Sequence, residues 1–122
     1  MKTISLLLCM VLFIPTQDEN TTEQLKGEWS IDLRPTPSSP EYYQSMEISF
    51  VNNKTFEGSF YNSEIKAALL NKNWNKIYFS FITSDASHNY YHSGYLENGK
   101  LYGISYCPGR KFTAPWTAKK TN

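Results

Sequence analysis

The sequence is poor in cysteine and histidine, with two of each in 122 residues. Cys9 lies in an apolar N-terminal run, and if that run is removed only Cys107 is left, so no disulfide can form within the chain. A small domain stapled by disulfides is therefore excluded. A single thiol is buried, paired between chains, or exposed and reactive, and we expect Cys107 to be a half-buried small side chain.

The chain also lacks an excess of either charge. It has 12 lysine and arginine residues against 11 aspartate and glutamate residues, which gives a formal net charge of +1. The basic residues are scattered, and they form no continuous positive stripe of the kind that binds phosphate. We therefore expect no nucleic-acid partner.

No apolar run is long enough to cross a bilayer, which needs about 20 residues. The longest, Ile4–Ile14, follows the positively charged start Met1-Lys2 and is ended by Pro15. These features are typical of a secretory signal peptide, which we place at residues 1–17. A buried N-terminal helix is the alternative, but no later segment shows a matching helical face. We expect no membrane span, and a single secreted or periplasmic domain over residues 18–122.

Long helical patterns are missing as well, and short segments with alternating apolar and polar residues follow one another instead. In Leu25–Leu33 apolar residues and one glycine occupy every second position, which predicts a strand with one buried face. The predicted strands are residues 25–34, 42–51, 55–61, 65–70, 74–83, 90–96, 101–106 and 111–119. Residues 65–70 also fit a helical turn, but the flanking turns leave too little chain for an ordinary helix.

Tight turns join most of these strands, which predicts that neighbours pair antiparallel. Asn98-Gly99 supplies the two positive φ angles of a type I′ hairpin turn. The longest loop follows the first strand, where Pro35, Pro37 and Pro40 prevent regular structure. We predict an all-β domain that forms an antiparallel up-and-down barrel of about eight strands, although two packed sheets satisfy the same pattern.

The alternation also predicts which side chains share a face. Trp29 is the first inward residue, and Gly58 in mid-strand predicts a bend or the close approach of a neighbouring strand. The apolar sets that share a face are Met46, Ile48 and Phe50; Phe56, Gly58 and Phe60; Ile77, Phe79 and Phe81; and Trp116 with Ala118.

Three short motifs resemble the calycin type of small barrel, which includes lipocalins and avidins. They are Gly27-Glu28-Trp29, Phe56-Glu57-Gly58-Ser59-Phe60-Tyr61 and Trp116-Thr117-Ala118-Lys119. The resemblance implies structural roles for Gly27, Gly58 and Trp116, and it implies that Trp29 plugs one end of the barrel. It further implies that Lys119 or Arg110 places a cation on the Trp29 ring, and that the barrel has a general capacity to bind ligands.

The histidine region is the only candidate for metal or catalytic chemistry. His88 and His92 lie near Asp85, Ser87 and Ser93, but residues four apart in a strand are about 13 Å from each other, too far to share a zinc ion. No Gly-x-Ser-x-Gly elbow presents a nucleophile. We expect no metal site, no cofactor and no catalytic residue. We place these side chains at a barrel mouth or in solvent.

Aromatic residues are abundant, at 16% of the chain, and include nine tyrosines. Tyrosines that point inward would line a pocket for a flat or amphiphilic molecule, and tyrosines that point outward would form a face for a protein or glycan. The predicted ligand-binding residues are Tyr43, Tyr61, Tyr78, Tyr90, His92 and Tyr102. We expect a non-enzymatic, lipocalin-like protein that binds a small hydrophobic or amphiphilic ligand. The alternative is a filled barrel that acts as an interaction module or inhibitor, with Arg34–Pro40 as its presented loop.

Overall fold

The alternating segments form nine strands in the computed structural model, which describes residues 21–121. The strands are β1 (Gly27–Asp32), β2 (Tyr43–Val51), β3 (Phe56–Phe60), β4 (Ser63–Glu64), β5 (Lys66–Asn71), β6 (Ile77–Ser84), β7 (Asn89–Glu97), β8 (Lys100–Cys107) and β9 (Phe112–Lys120). Short 3₁₀ helices at Thr22–Leu25 and Pro108–Arg110 complete the described part. The predicted signal peptide lies outside the described residues.

The strands make one antiparallel sheet in the order β4-β3-β2-β1-β9-β8-β7-β6-β5. All pairs except β1 with β9 are consecutive in the chain, so the fold is an up-and-down barrel. Its seam lies between β3 and β5, where Ile65 donates to the Gly58 carbonyl and Leu70 donates to the Lys54 carbonyl, both at 2.9 Å. The barrel is therefore nearly closed, and the two-sheet alternative is wrong.

The count rises from eight to nine because residues 63 and 64, at a predicted turn, form a two-residue strand, β4, that pairs with β3. Ile65 separates β4 from β5, which corresponds to the predicted strand 65–70. Within β5, Ala67 has a positive φ of 51° where the register with β6 shifts. The Asn98-Gly99 turn is confirmed, with φ of 51° and 75°. Trp74 is not in a strand as predicted: it lies in the turn before β6, with 73% of its surface exposed.

The core is filled mainly by aromatic rings from β3, β6 and β9. Phe56, Phe60, Phe79, Phe81 and Trp116 are all buried and meet at centroid distances between 5.2 and 6.4 Å. Edge-to-face and tilted pairs of this kind are favourable beyond the area that they bury. The predicted inward sets on β3, β6 and β9 are confirmed.

Two glycines make room for the largest rings. Phe79, Gly94, Gly103 and Trp116 are cross-strand partners in one row, and the Phe79 and Trp116 rings meet over the two glycines, 6.0 Å apart. A Cβ on Gly103 would lie 2.2 Å from the Trp116 ring, far inside a van der Waals contact. On β3, a Cβ on Gly58 would lie 1.8 Å from the Glu47 carbonyl oxygen, so the predicted close approach is confirmed.

One inward assignment on β2 is wrong. Met46 and Ile48 are buried, but the register shifts between Ile48 and Phe50, which is a β-bulge. A bulge turns the following residues to the opposite faces. Phe50 is consequently exposed and Val51 takes the inward position.

Trp29 is buried beside the first 3₁₀ helix, at the end of the barrel where β1 begins and β9 ends. Its indole N–H donates to the Leu25 carbonyl at 2.9 Å, and both side chains are buried. Leu25 belongs to the first 3₁₀ helix, so the first strand begins at Gly27, two residues later than predicted. The cation over the ring is Lys120, whose Nζ lies 5.5 Å from the centroid, and not Lys119 or Arg110. Lys120 is the cross-strand partner of Trp29, whereas Lys119 pairs with Ser30 and points to the other face.

Candidate functional site

The other end of the barrel opens into a cavity of about 760 Å³. It lies at the end of β1 and the start of β9, opposite Trp29. Its apolar lining consists of Leu33, Pro35, Phe60, Phe112, Ala114, Pro115 and Trp116. Its polar lining consists of Tyr42, Tyr61, Asn62, Ser63, Thr83, Asp85, Tyr90, His92, Ser105, Arg110 and Thr113. Proline-rich Arg34–Pro40 contributes Pro35 to the wall, so this loop lies beside the mouth.

A hydrogen-bonded group of three side chains lies at the inner end of the cavity, and we call it the His92 cluster: His92, Thr83 and Ser105. The imidazole Nε2 is 2.8 Å from Thr83 Oγ1, and Nδ1 is 2.6 Å from Ser105 Oγ. The residues come from adjacent strands β6, β7 and β8, all from inward positions. Each is at least 94% buried, so the hydroxyls are fixed on either side of one ring.

The His92 imidazole is neutral near pH 7. Burial lowers its pKa from 6.5 to about 4, because a charged ring is poorly solvated in an apolar surrounding. Phe60 and Phe81 pack against the ring at centroid distances of 4.5 and 4.6 Å, and the Phe81 ring is nearly parallel to it. The two phenyl rings hold the imidazole in place, while its two nitrogens face hydroxyls.

Among residues 21–121, the charged side chains that line the cavity are Asp85 and Arg110, and both are exposed at its rim. The Tyr90 hydroxyl donates to Asp85 Oδ2 and accepts from the Arg110 guanidinium, each at 2.8 Å. Backbone N–H of Ser87, the Tyr90 hydroxyl and the backbone N–H of His88 lower the pKa of Asp85 to about 2. Tyr90 thus joins one anion to one cation, and the rim has no net charge.

A second pair of hydroxyls lies on the side of the rim formed by the loop after β3. Tyr42 and Tyr61 form a hydrogen bond through their hydroxyl groups, and this bond raises the pKa of Tyr61. Tyr61 has a positive φ of 52° at the end of β3, which directs the chain into the next turn. The walls of the cavity are more hydrophobic than its rim. In the wall, the buried indole N–H of Trp116 has no hydrogen-bond partner among residues 21–121.

The structure brings three of the six predicted ligand-binding residues together. Tyr61, Tyr90 and His92 line the cavity. The other three are on the outer surface: Tyr43 accepts from Arg34, and Tyr78 and Tyr102 flank Tyr95. Tyr43, Tyr78 and Tyr102 alternate with the inward residues of their strands, so they cannot reach the cavity.

Tyr78 and Tyr102 belong to a tyrosine-rich stretch of barrel surface that is bordered by lysine side chains. Tyr95 stacks on Tyr102 at 5.3 Å with an interplanar angle of 17°, and Lys76 lies over Tyr95 at 4.8 Å. Tyr91 and Tyr106 form a second pair at 6.4 Å. We call this surface the outer tyrosine face; its members are Tyr78, Tyr91, Tyr95, Tyr102 and Tyr106, with the neighbouring Ser80, Ser93 and Ile104.

Sequence reasoning missed Thr83 and Ser105, and it assigned Arg110 to the wrong end of the barrel. A signal for both hydroxyls is present, since Thr83 continues the Ile77, Phe79, Phe81 alternation and Ser105 continues that of Leu101. His88 is in the loop beside Asp85, before β7 begins. His92 lines the cavity, but its side chain is buried and does not face solvent. Cys107 is fully buried rather than half-buried.

Within residues 21–121 no three side chains of histidine, cysteine, aspartate or glutamate are grouped so that they could hold a metal ion. The same part of the chain contains no helix of sufficient length and apolar character to cross a membrane. Comparison of the chain with models of protein families, with curated proteins and with solved structures finds no match.

Proposed function

We propose that this protein is a secreted or periplasmic, lipocalin-like binding protein that holds a small hydrophobic or amphiphilic molecule in the cavity at its open end. The observation that carries the proposal is the cavity itself, which combines apolar walls with polar groups at both its inner end and its rim. Its volume of about 760 Å³ is within the range of small-molecule sites. The calycin resemblance of the Gly27-Glu28-Trp29 and Trp116-Lys119 motifs supports the same proposal.

The lining favours an apolar molecule with a few polar atoms. Phe60, Phe112 and Trp116 offer large ring surfaces, and covering apolar area contributes about 25 cal/mol per Å². The rim groups Asp85, Tyr90 and Arg110 are already paired with one another, so they supply hydrogen bonds to a polar end without a strong preference for either charge.

Binding without catalysis is the better interpretation of the His92 cluster. Ser105 and His92 resemble a nucleophile with its base, but a base with a pKa of about 4 is too weak to activate a hydroxyl near pH 7. The second ring nitrogen faces the neutral Thr83 hydroxyl and not a carboxylate, so nothing stabilises a charged imidazole.

The first test is native mass spectrometry of the protein purified gently from its own exported fraction. We expect a reproducible added mass that is lost on denaturation. Titration with the fluorescent apolar probe N-phenyl-1-naphthylamine then tests the site. Ala114→Phe fills the mouth of the cavity and should lower the affinity for the probe at least tenfold. Thr117→Phe places the same ring on the outer face of β9 and should change the affinity less than twofold.

A bare protein mass together with no saturable probe binding would refute the proposal. It would favour a barrel that acts through its surface on a protein or glycan. The observation in favour of this second function is the outer tyrosine face, where Tyr91, Ile104 and Tyr106 are each more than 40% exposed. Tyrosine and serine on a rigid support are common in recognition surfaces. A glycan array probed with the protein and with its Tyr106→Ser variant tests that function.

A further inference from the structure

The His92 cluster has a property that follows from hydrogen-bond counting. A neutral imidazole has one N–H donor and one lone pair, and each of its nitrogens faces a hydroxyl. If Nδ1 carries the proton, Ser105 accepts and Thr83 donates. If Nε2 carries the proton, the roles are exchanged.

In both tautomers the cluster presents the same two unused functions. The hydroxyl that accepts from the ring keeps its own proton and can donate it. The hydroxyl that donates to the ring keeps its lone pairs and can accept. The inner end of the cavity therefore always offers one donor and one acceptor, and a proton shift within the ring exchanges their positions.

The cluster offers no charge to balance an ionised group. The ring is packed between Phe60 and Phe81, and the nearest formal charges that line the cavity, Asp85 and Arg110, are joined through Tyr90 at the rim. An ion at the inner end would lose its hydration with no opposite charge in return, which costs several kcal/mol.

We propose that the His92 cluster is the specificity site of this cavity, and that it selects an uncharged ligand whose inner end carries both a hydrogen-bond donor and an acceptor, as in a carboxamide or a lactam. This inference rests on the proposed function, because it requires that a ligand enters the cavity. The two tautomers let the ligand bind in either orientation of its donor and acceptor.

The test is displacement of N-phenyl-1-naphthylamine by two probes of equal shape. 2-Naphthamide carries a donor and an acceptor, and 2-acetylnaphthalene carries the acceptor alone. We expect the amide to bind about tenfold more tightly, because the ketone leaves one buried group of the cluster unpaired. Ser105→Ala and Thr83→Val each remove one hydroxyl, so the advantage of the amide should fall below threefold in both variants.

The ketone distinguishes an exchanging ring from a fixed one. With either hydroxyl left, the ring can take the tautomer that frees a donor, so the ketone should bind both variants within about threefold of its original affinity. Ser93→Ala removes a hydroxyl from the outer face of the same strand as His92 and should change nothing. Circular dichroism and N-phenyl-1-naphthylamine affinity show that each variant is folded.

Three outcomes separate the possibilities. If the protein has a bare mass and N-phenyl-1-naphthylamine does not bind, the proposed function is overturned and this inference with it. If it binds but the amide has no advantage, or keeps its advantage in both variants, only the specificity site is overturned. If the affinity for the ketone falls more than tenfold in one variant and not in the other, the ring is held in one tautomer and the proposed exchange is overturned.

Discussion

Lys120 and Trp29 are cross-strand partners, and the Lys120 amine lies over the buried indole ring. The contact joins the last strand to the first. Its neighbour Lys119 has the same charge and flexibility but points to the other face, so the chain contains its own control.

We predict that Lys120→Met lowers the free energy of unfolding by about 0.5 to 1 kcal/mol at low salt, the usual strength of an exposed cation–π contact. Methionine keeps most of the apolar stem and removes the charge. Lys119→Met should change the free energy by less than about 0.5 kcal/mol. Urea unfolding measures both, and equal effects of the two substitutions would mean that the ring contact contributes nothing.

We predict that Gly103→Ala destabilises the barrel by about 1 to 3 kcal/mol or more, because the new methyl group overlaps the Trp116 ring. Gly109→Ala is the control: its methyl group would meet the half-buried His88 side chain, which lies in a loop and can move aside, so we expect a smaller loss. Combining Gly103→Ala with Trp116→Phe should recover part of the stability, and purely additive effects would contradict the overlap.

We predict that the barrel becomes less stable as the pH falls from about 6.5 to 4, and His92 is the cause. Its pKa is lower in the folded state, so in this window the unfolded chain binds more protons and stability rises with pH. The full difference between 6.5 and about 4 corresponds to about 3 kcal/mol.

The measurement is urea unfolding at a series of pH values for the protein, His92→Gln and His88→Gln. Glutamine at position 92 cannot titrate, so the free energy of unfolding of His92→Gln should lose most of its dependence on pH between 4 and 6.5. The His88→Gln variant replaces a half-buried histidine of the loop before β7, outside the core, and should keep this pH dependence. A slope that survives in His92→Gln would assign the pH dependence to other groups.

We predict that Cys107 does not react with a thiol reagent in the folded protein, because the side chain is completely buried in β8. Ellman's reagent should modify it only after urea unfolding, and at the unfolding rate when the reagent is in excess. Rapid reaction without urea would show that β8 opens locally or that the thiol is at the surface.

The sequence predicted the barrel well where local chemistry decides the structure. Asn98-Gly99 requires a hairpin, and the Ile77, Phe79, Phe81 alternation fixes the inward face of β6. One error comes from a bulge in β2, where a shift of one residue inverts the pattern and exposes Phe50. The other comes from the family resemblance, which assigned Lys119 to Trp29, whereas the Trp116, Ala118 alternation continues to Lys120.

The candidate site was predictable only in part. Tyr61, Tyr90 and His92 line the cavity, but tyrosine suits both faces of a strand, so composition could not separate them from Tyr78 and Tyr102. Thr83 and Ser105 were on inward positions of readable strands. The sequence does not reveal that the Thr83 and Ser105 hydroxyls meet the two nitrogens of the His92 ring. That arrangement depends on the register between three strands.

The pairing of β1 with β9 has a consequence for how the molecule is made. Ser30 pairs with Lys119, and no hydrogen bond of that ladder can form until synthesis reaches residues 117–120. Contacts between such distant segments make folding slow. The hairpins of β6, β7 and β8 can form earlier from local contacts. The contact between Trp29 and Lys120 cannot form until β9 has been made, so the first and last described strands join only after all the strands between them have been synthesised.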